Sequence, residues 1–495
     1  MPIAATEKPA QAPARPAAKI GSSDEIKCQK EITSIRRAYK EDIPKDFRQI
    51  DHTKIEQIAK SIAEFQSRLQ TFIKSCDADK IGIDSYMMLA RMRTALETRV
   101  RQLQKDGIKG PELVQRMLEY NEESIQLCQK TLDLIAKIKD EKARAKYADL
   151  RCETMDLQGD IQYKVGDFEA ALDNYVTLLK ECPSYSGFGT TVTGAARTYK
   201  ALGRTKEGIP FIKKYIESHY GLSDLPFFYE SLWNLLVTDG DIGGMVEWCK
   251  KVQETFPIRM MRDNSKRYEK DGFRRYLGFS GFRLGYALLA RGDLSGAVEA
   301  FQKHVEDTDK LEGELHPNPL PKELEIYKTR SLDNLKILEE AIGDPPGMDI
   351  ELEDFWATPR RVTLAESRGK AVAILFRGDN DRRSKHFLTA LDKHLAERPE
   401  DKDFVILHYM KGTRDLPGQL DTLQGHVREM ELVAAAVGMD PDADRKSLFR
   451  AFRATIGTAT FMIFDRYGKL AWWQQDPRAM DANLAIAIWE RLASE

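Results

Sequence analysis

From Ile55 the apolar positions fall at Ile55, Ile58, Ile62, Phe65, Leu69 and Phe72, in alternating steps of three and four residues. That rhythm puts them on one narrow seam of an amphipathic helix. A second seam runs through Leu89, Met92, Leu96, Val100 and Leu103 and is closed by Gly107. A third runs through Leu113, Met117, Ile125, Cys128, Leu132 and Ile135. Short breaks between such helices favour antiparallel neighbours, so residues 24–150 are expected to form an all-α helical bundle that buries its seams internally. A dimerising coiled coil is the alternative reading of the same pattern.

Between Met155 and Asp309 the chain repeats itself. Gly166, Gly203 and Gly240 recur every 37 residues, each between two helical patterns, and Gly292 follows after an insertion between Pro257 and Gly272. Asp167, Asp241 and Asp293 come directly after three of these glycines. A helix that ends in a left-handed residue calls for Gly, and Asp just beyond can cap the next helix. In the first unit Gly159 precedes the turn, and Phe168, Ala171, Tyr175 and the terminating Pro183 follow it. Leu284, Gly285, Ala297 and Phe301 stand at corresponding places in the last unit, and Leu232, Leu236 and Pro257 in the third. Ala196, Tyr199 and Gly208 carry the second. Small residues let the two helices of a hairpin approach, and the aromatic fills the gap to the next hairpin. This residue set resembles the tetratricopeptide (TPR) repeat, with a period longer than the usual 34 or so. The resemblance implies an α-solenoid that presents a concave protein-binding surface, and it says almost nothing about the ligand. The TPR-like array is expected over residues 151–343.

A last amphipathic helix, Glu323 to Ile342, stops at Gly343-Asp344-Pro345-Pro346-Gly347, and two prolines cannot continue a helix. Residues 344–355 therefore read as a linker. Beyond it the rhythm changes. Ala371 to Phe376 is a short apolar run of the kind expected for a buried central strand. The helical stretch Lys385 to Leu395 and a second apolar run, Phe404 to Leu407, follow. A long helical region then leads to the strand Thr460 to Asp465, a turn at Tyr467-Gly468, the strand Leu470 to Trp473 and a final helix to Leu492. This order predicts an α/β layered domain. Trp472 and Trp473 are adjacent on a strand, so alternation predicts one in the core and one exposed, as an interface anchor or under a neighbouring helix.

The entry Thr363-Leu364-Ala365-Glu366-Ser367-Arg368-Gly369-Lys370, the segment Gly457-Thr458-Ala459-Thr460 and the hairpin Asp465-Arg466-Tyr467-Gly468-Lys469 carry a second resemblance. Residues 356–495 resemble the thioredoxin-like superfamily, especially bacterial membrane-tethered thiol–disulfide oxidoreductases. Counting on from Phe376, the two cysteine positions of that family fall on Asp381 and Ser384, and its cis-proline position falls on Ala459. The last cysteine of the chain is Cys249. Neither a carboxylate nor a hydroxyl forms the mixed disulfide that thiol exchange requires. The resemblance thus implies the fold without its usual reaction, and no catalytic residue is assigned. Arg377, Arg382, Arg383 and Lys385 crowd the same loop and helix start. Arg377, Arg382 and Arg383 are candidates for an anion, with a solvated basic face as the plain alternative. His386 and His394 have no partnered Cys or Asp at ligand spacing, so no metal is assigned.

Composition narrows the classes. A chain of 495 residues with 42% hydrophobic and 31% charged residues can build several cores. A formal net charge of -2 implies neither a polyelectrolyte mode of nucleic-acid binding nor strong attraction to a membrane surface, and no nucleic-acid partner is expected. No apolar run approaches the roughly 20 residues of a spanning helix. Met1 to Ser23 is Ala- and Pro-rich and reads as a disordered tail or a partner-binding arm. The six cysteines, Cys28, Cys76, Cys128, Cys152, Cys182 and Cys249, lack zinc-like or Cys-x-x-Cys spacing and read as small core residues rather than staples. A cytoplasmic location follows by default, with a secreted or periplasmic protein as the alternative. The expected function is a non-enzymatic interaction scaffold with protein partners, no cofactor and a possible homo-oligomer. Two alternatives stand beside it: a ligand-binding or enzymatic site around Arg382 and Arg383, and a thiol redox role for a repeat cysteine such as Cys249.

Overall fold

The structure is a computed structural model. It describes residues 83–105, 111–218, 225–255, 273–315, 322–341, 369–378, 385–397, 400–410, 416–441, 460–474 and 481–495, with isolated positions between 30 and 72 and at 320, 357, 367. The Ala/Pro-rich tail and the proposed linker 344–355 lie outside the described residues. The chain divides into two compact units, Met1–Thr198 and Tyr199–Glu495.

In the first unit α1 (Ile83–Lys105) packs on α2 (Pro111–Ala136), and the short α3 (Glu141–Ala145) leads into the first repeat. Met87, Leu89 and Ala90 of α1 are buried, as are Leu127, Cys128 and Ile135 of α2. The helical residues Phe65 and Leu69 are buried too. Among the described seam residues, Phe65, Leu69, Leu89, Met92, Cys128 and Ile135 are thus covered within the chain. The repeat consists of α4 (Ala148–Val165) and α5 (Phe168–Glu181), and α6 (Phe188–Ala201) opens the next. Gly166 ends α4 at φ 87°, and the Asp167 side chain accepts from the Ala170 N–H at 3.3 Å. Tyr175 fills the space left by two glycines: a Cβ on Gly159 would lie 2.9 Å from its ring, and one on Gly194 would lie 2.7 Å away. One expectation fails here. Cys152 and Cys182 are not separate core residues; they form a disulfide between α4 and the end of α5. The two lie nearly equidistant from Gly166 along an antiparallel hairpin, which brings their side chains face to face.

The second unit continues the array with α7 (Thr205–Ser218), α8 (Leu225–Asp239), α9 (Ile242–Thr255), α10 (Phe273–Arg291), α11 (Leu294–Leu315) and α12 (Lys322–Ala341). Gly203, Gly240 and Gly292 all adopt positive φ, as Gly166 does. Asp241 and Asp293 cap α9 and α11 by accepting from Gly244 N at 2.8 Å and Gly296 N at 3.0 Å. Phe301 lies over Gly285, where a Cβ would meet its ring at 2.5 Å. The turn, cap and aromatic filler of the repeat pattern thus recur along the array.

The array is followed by a five-stranded sheet, β1 (Ala371–Gly378), β2 (Lys402–Met410), β3 (Ala436–Pro441), β4 (Thr460–Phe464) and β5 (Leu470–Gln474), in the order β3-β2-β1-β4-β5. β1, β2 and β3 are parallel, whereas β4 and β5 are antiparallel to their neighbours. Helices α13 (Lys385–Glu397), α14 (Leu416–Met430) and α15 (Ala482–Ser494) complete it. This is the thioredoxin-like α/β fold. Ala371 to Phe376 are all buried, as a central strand with both faces covered must be. The run after Leu407 departs from its expected all-helical character, because Ala436 to Pro441 pair with β2 as a parallel edge strand. Alanine favours a helix locally, but here Ala434, Ala435, Ala436 and Val437 are buried and tertiary pairing decides. The Asp392 carboxylate fixes the entry to this strand by accepting from the backbone N–H groups of Val433, Ala434 and Ala435.

Candidate functional site

The end of the sheet where β1 stops is the first place to look. Arg377 is the penultimate residue of β1 and pairs with His408 on β2. Asp381, Arg382, Arg383 and Ser384 connect Gly378 to α13 and lie outside the described residues, as does Ala459 just before β4. The described flanks meet at this end, because Thr460 pairs with Phe376. Thr460 is fully buried. His394, by contrast, is engaged elsewhere: its Nε2 lies 2.6 Å from Glu490 Oε1, which also meets Lys402 Nζ at 3.1 Å. Burial alone would raise the Glu490 carboxyl, but the hydrogen bonds and charges of Lys402 and His394 hold it below its ordinary value. Among the described residues no group of three or more His, Cys, Asp or Glu side chains is placed to hold a metal ion.

The neighbouring edge of the sheet meets the helical array. Trp472 and Trp473 are both buried, at 0% and 3% exposure, so neither is an exposed anchor and the outward one is packed under a neighbouring helix, the second of the two expected outcomes. Alternation does put the two rings on opposite faces, but array helices reach both. The Trp472 ring packs against Tyr286 of α10, with centroids 5.4 Å apart, while Trp473 Nε1 donates to Asn334 Oδ1 of α12 at 3.0 Å. Trp473 pairs with Met462, two residues from Thr460. Helix α15 extends the contact. Asn483, Ala487 and Arg491, four residues apart on one helical face, meet the hairpin turns one after another. Asn483 Nδ2 donates to Thr238 O at 2.7 Å. A Cβ on Gly240 would lie 3.0 Å from Ala487 Cβ, and one on Gly292 would lie 2.8 Å from the Arg491 guanidinium. Asp481, the N-cap of α15, accepts from Thr238 Oγ1 at 3.0 Å and pairs with Lys200 Nζ at 2.9 Å. On its other side α15 is tied to the sheet, with Trp489 Nε1 donating to Ala371 O at 2.8 Å.

A second cluster occupies the surface shared by α4 and α6 in the first unit. Asp156 and Asp160 stand one helical turn apart on α4. Asp156 accepts from Thr191 Oγ1 at 2.8 Å and from the Tyr185 hydroxyl at 3.2 Å. Asp160 accepts from the Tyr175 hydroxyl at 2.7 Å and pairs with Arg197, whose guanidinium lies 4.3 Å from the Tyr163 ring centroid. Burial pushes the Asp156 carboxyl up, against the lowering effect of the Thr191 hydrogen bond. Asp160 and Arg197 keep 47% and 42% of their side-chain surface in water, so the cluster is open to a partner. It combines carboxylates, hydroxyls and one guanidinium, groups that bind by hydrogen bonding and charge.

No protein-family model matches the chain, and no curated protein does. Among solved structures it is similar to a thiol-disulfide isomerase from Corynebacterium glutamicum, at 17% identity and TM-score 0.25, covering 30% of this chain and 96% of that one. It is also similar to BtubC from P. vanneervenii, at 14% identity and TM-score 0.32, covering 60% and 96%. A third similar structure is the TPR2AB domain of yeast Sti1, at 12% identity and TM-score 0.22, covering 62% and 99%.

The free thiols offer no reactive centre among the described residues. Cys128 and Cys249 are buried, and burial pushes both thiols up to about 12. A thiol with so high a pKa is almost wholly protonated near neutrality and a poor nucleophile. Sequence reasoning missed both the Cys152–Cys182 bond and the α15 contacts. The first had a signal in the nearly equal spacing of Cys152 and Cys182 about Gly166. The second had a fainter signal, the polar or small face Asn483-Ala487-Arg491 on an otherwise apolar helix.

Proposed function

We propose that the chain is a non-enzymatic protein-binding scaffold, in which TPR-like repeats hold the partner and the thioredoxin-like domain is a redox-inactive structural module. The observation that carries the reading is the seating of β5 and α15 on the array. Side chains of α12 and α10 reach β5 opposite Met462 and Ile463, two and three residues along β4 from Thr460. The absence of cysteine after Cys249 and the inert character of the described free thiols support the same conclusion. The surface of α4 and α6 is the best candidate for partner contact, because it offers charged and hydroxyl groups on adjacent first helices of two hairpins. The Cys152–Cys182 bond favours a secreted or periplasmic setting over a reducing cytoplasm.

Two measurements test this. In an insulin-reduction assay the purified protein should match the reductant-only blank; a rate above it that alkylation of the protein's thiols abolishes would refute the redox-inactive reading. A photo-crosslinking residue at Arg197 or Asp160 should capture a discrete protein partner in native cells, whereas one at the outward-facing Glu169 of α5 should not. Equal labelling from all three positions would remove the assignment of the surface.

A further inference from the structure

The disulfide sits directly behind the polar cluster. Cys182 caps the end of α5, its N–H bonding to Leu178 O at 2.8 Å, and the chain then turns through Pro183 and Ser184 to Tyr185. The bond buries Cys152 and Cys182 against Met155 and Leu178, and the Tyr185 ring packs on that same group. On its far side the ring lies over Gly187, where a Cβ would fall 2.5 Å from it. The backbone of this short connection is hydrogen-bonded onward: Tyr185 N to Cys182 O at 3.1 Å, Phe188 N to Tyr185 O at 3.0 Å and Thr191 N to Gly187 O at 3.0 Å. At the end of this chain of contacts the Tyr185 hydroxyl and Thr191 Oγ1 donate to the two oxygens of Asp156. The disulfide therefore holds the Tyr185 ring, and Tyr185 links the first hairpin to α6.

We propose that oxidation of Cys152 and Cys182 completes the α4–α6 surface, so that the chain becomes competent to bind its partner only after this bond forms. The two thiols lose two protons and two electrons to a disulfide-bearing thiol oxidant, whose own disulfide is reduced to a dithiol as the Cys152–Cys182 bond forms. In the reduced chain nothing covalent ties the end of α5 to α4, the Tyr185 ring loses one wall of its seat, and one oxygen of Asp156 loses its donor. A half-buried carboxylate oxygen without a donor is unfavourable, so the spacing of α4 and α6 readjusts. The consequence for binding rests on the scaffold reading above; the structural step does not.

Native-state hydrogen exchange on the full chain, oxidised and then reduced with a dithiol, separates the two. On reduction the amides of Tyr185, Phe188 and Thr191 should exchange at least tenfold faster, while those of α9 and α10 stay unchanged. Unchanged exchange at the three amides in the reduced, folded protein overturns the proposal. Should reduction unfold residues 111–198 together, Tyr185→Phe in the oxidised protein decides: faster exchange at Thr191 is expected, and exchange equal to wild type overturns the link through the hydroxyl. Crosslinking from Arg197 is read in parallel. Loss of capture on reduction supports the gating. Capture that survives reduction overturns the gating even where the exchange responds, and no capture in either state counts against the scaffold reading alone.

Discussion

Replacing the turn glycines by alanine separates two roles that the same residue type plays along the array. Gly203 and Gly240 have nearly the same backbone, φ 68° and 71°. A Cβ at either position carries the penalty of a left-handed L-residue, about 1–2 kcal/mol. Nothing lies within 4 Å of the Cβ position at Gly203, whereas at Gly240 Ala487 Cβ would be 3.0 Å away and the Asn483 carbonyl 3.5 Å. The contact at 3.0 Å involves a methyl group with no rotamer to escape into, so α15 must shift. Overpacking of this kind costs about 1–3 kcal/mol. Gly240→Ala should therefore lower the opening free energy of the α15 amides by about 1–3 kcal/mol in native-state hydrogen exchange, and Gly203→Ala should leave those amides unchanged. Ala487→Gly in the Gly240→Ala background should recover most of the loss, giving a coupling of about 1–2 kcal/mol in the double-mutant cycle. If the two glycine variants affect α15 equally, or if the cycle shows no coupling, α15 does not rest on the turn as described.

Two further perturbations probe the same unit. Asn334→Ala leaves the buried Trp473 Nε1 without its acceptor, and should destabilise the sheet by about 1–3 kcal/mol in urea denaturation followed by tryptophan fluorescence; Asn334→Asp, which keeps an acceptor, should recover part of this. Glu490→Gln removes the partner of the nearly buried Lys402 and should cost about 1–3 kcal/mol at neutral pH. Because Lys402 and His394 hold the Glu490 carboxyl below 4.5, its contribution is present above that value and is lost as pH falls through the lowered folded value. The wild-type and Glu490→Gln stabilities, measured against pH, should therefore converge in acid.

The legible part of this chain was whatever depends on short-range spacing. The left-handed turns at Gly166, Gly203, Gly240 and Gly292, the caps at Asp167, Asp241 and Asp293, and the aromatic fillers Tyr175 and Phe301 each follow from a local rule. So did the central strand Ala371 to Phe376, whose unbroken apolar run has no other stable home than the middle of a sheet. What local rules could not supply is the identity of a neighbour far along the chain. β3 was obscured because alanine is a strong helix former, and only the exposed ladder of β2 makes a strand of it. Which outcome the outward tryptophan takes, anchor or packed under a helix, stayed open because period-two alternation says which face a residue takes and not what lies beyond that face. The cysteine pair was missed for a related reason, since spacing motifs describe ligand geometry within a loop, whereas Cys152 and Cys182 meet across a hairpin.

The strand order gives these contacts a common logic. In β3-β2-β1-β4-β5 the two edges are the places where backbone groups remain unpaired, and exposed edges invite association with other chains. β3 is approached by Ala357, whose N–H donates to Val437 O at 2.8 Å. β5 is approached by Tyr286 and Asn334 of the array, through side chains on both of its faces. A thioredoxin-like domain that worked by exchange would need the region around the end of β1 free for a protein substrate. Here β5, one strand beyond β4, is packed against helices of its own chain, and α15 meets two successive hairpin turns of the array. The β5 edge is thus occupied from within the chain, by Tyr286 and Asn334, while the disulfide of the described residues, Cys152–Cys182, lies in the first repeat.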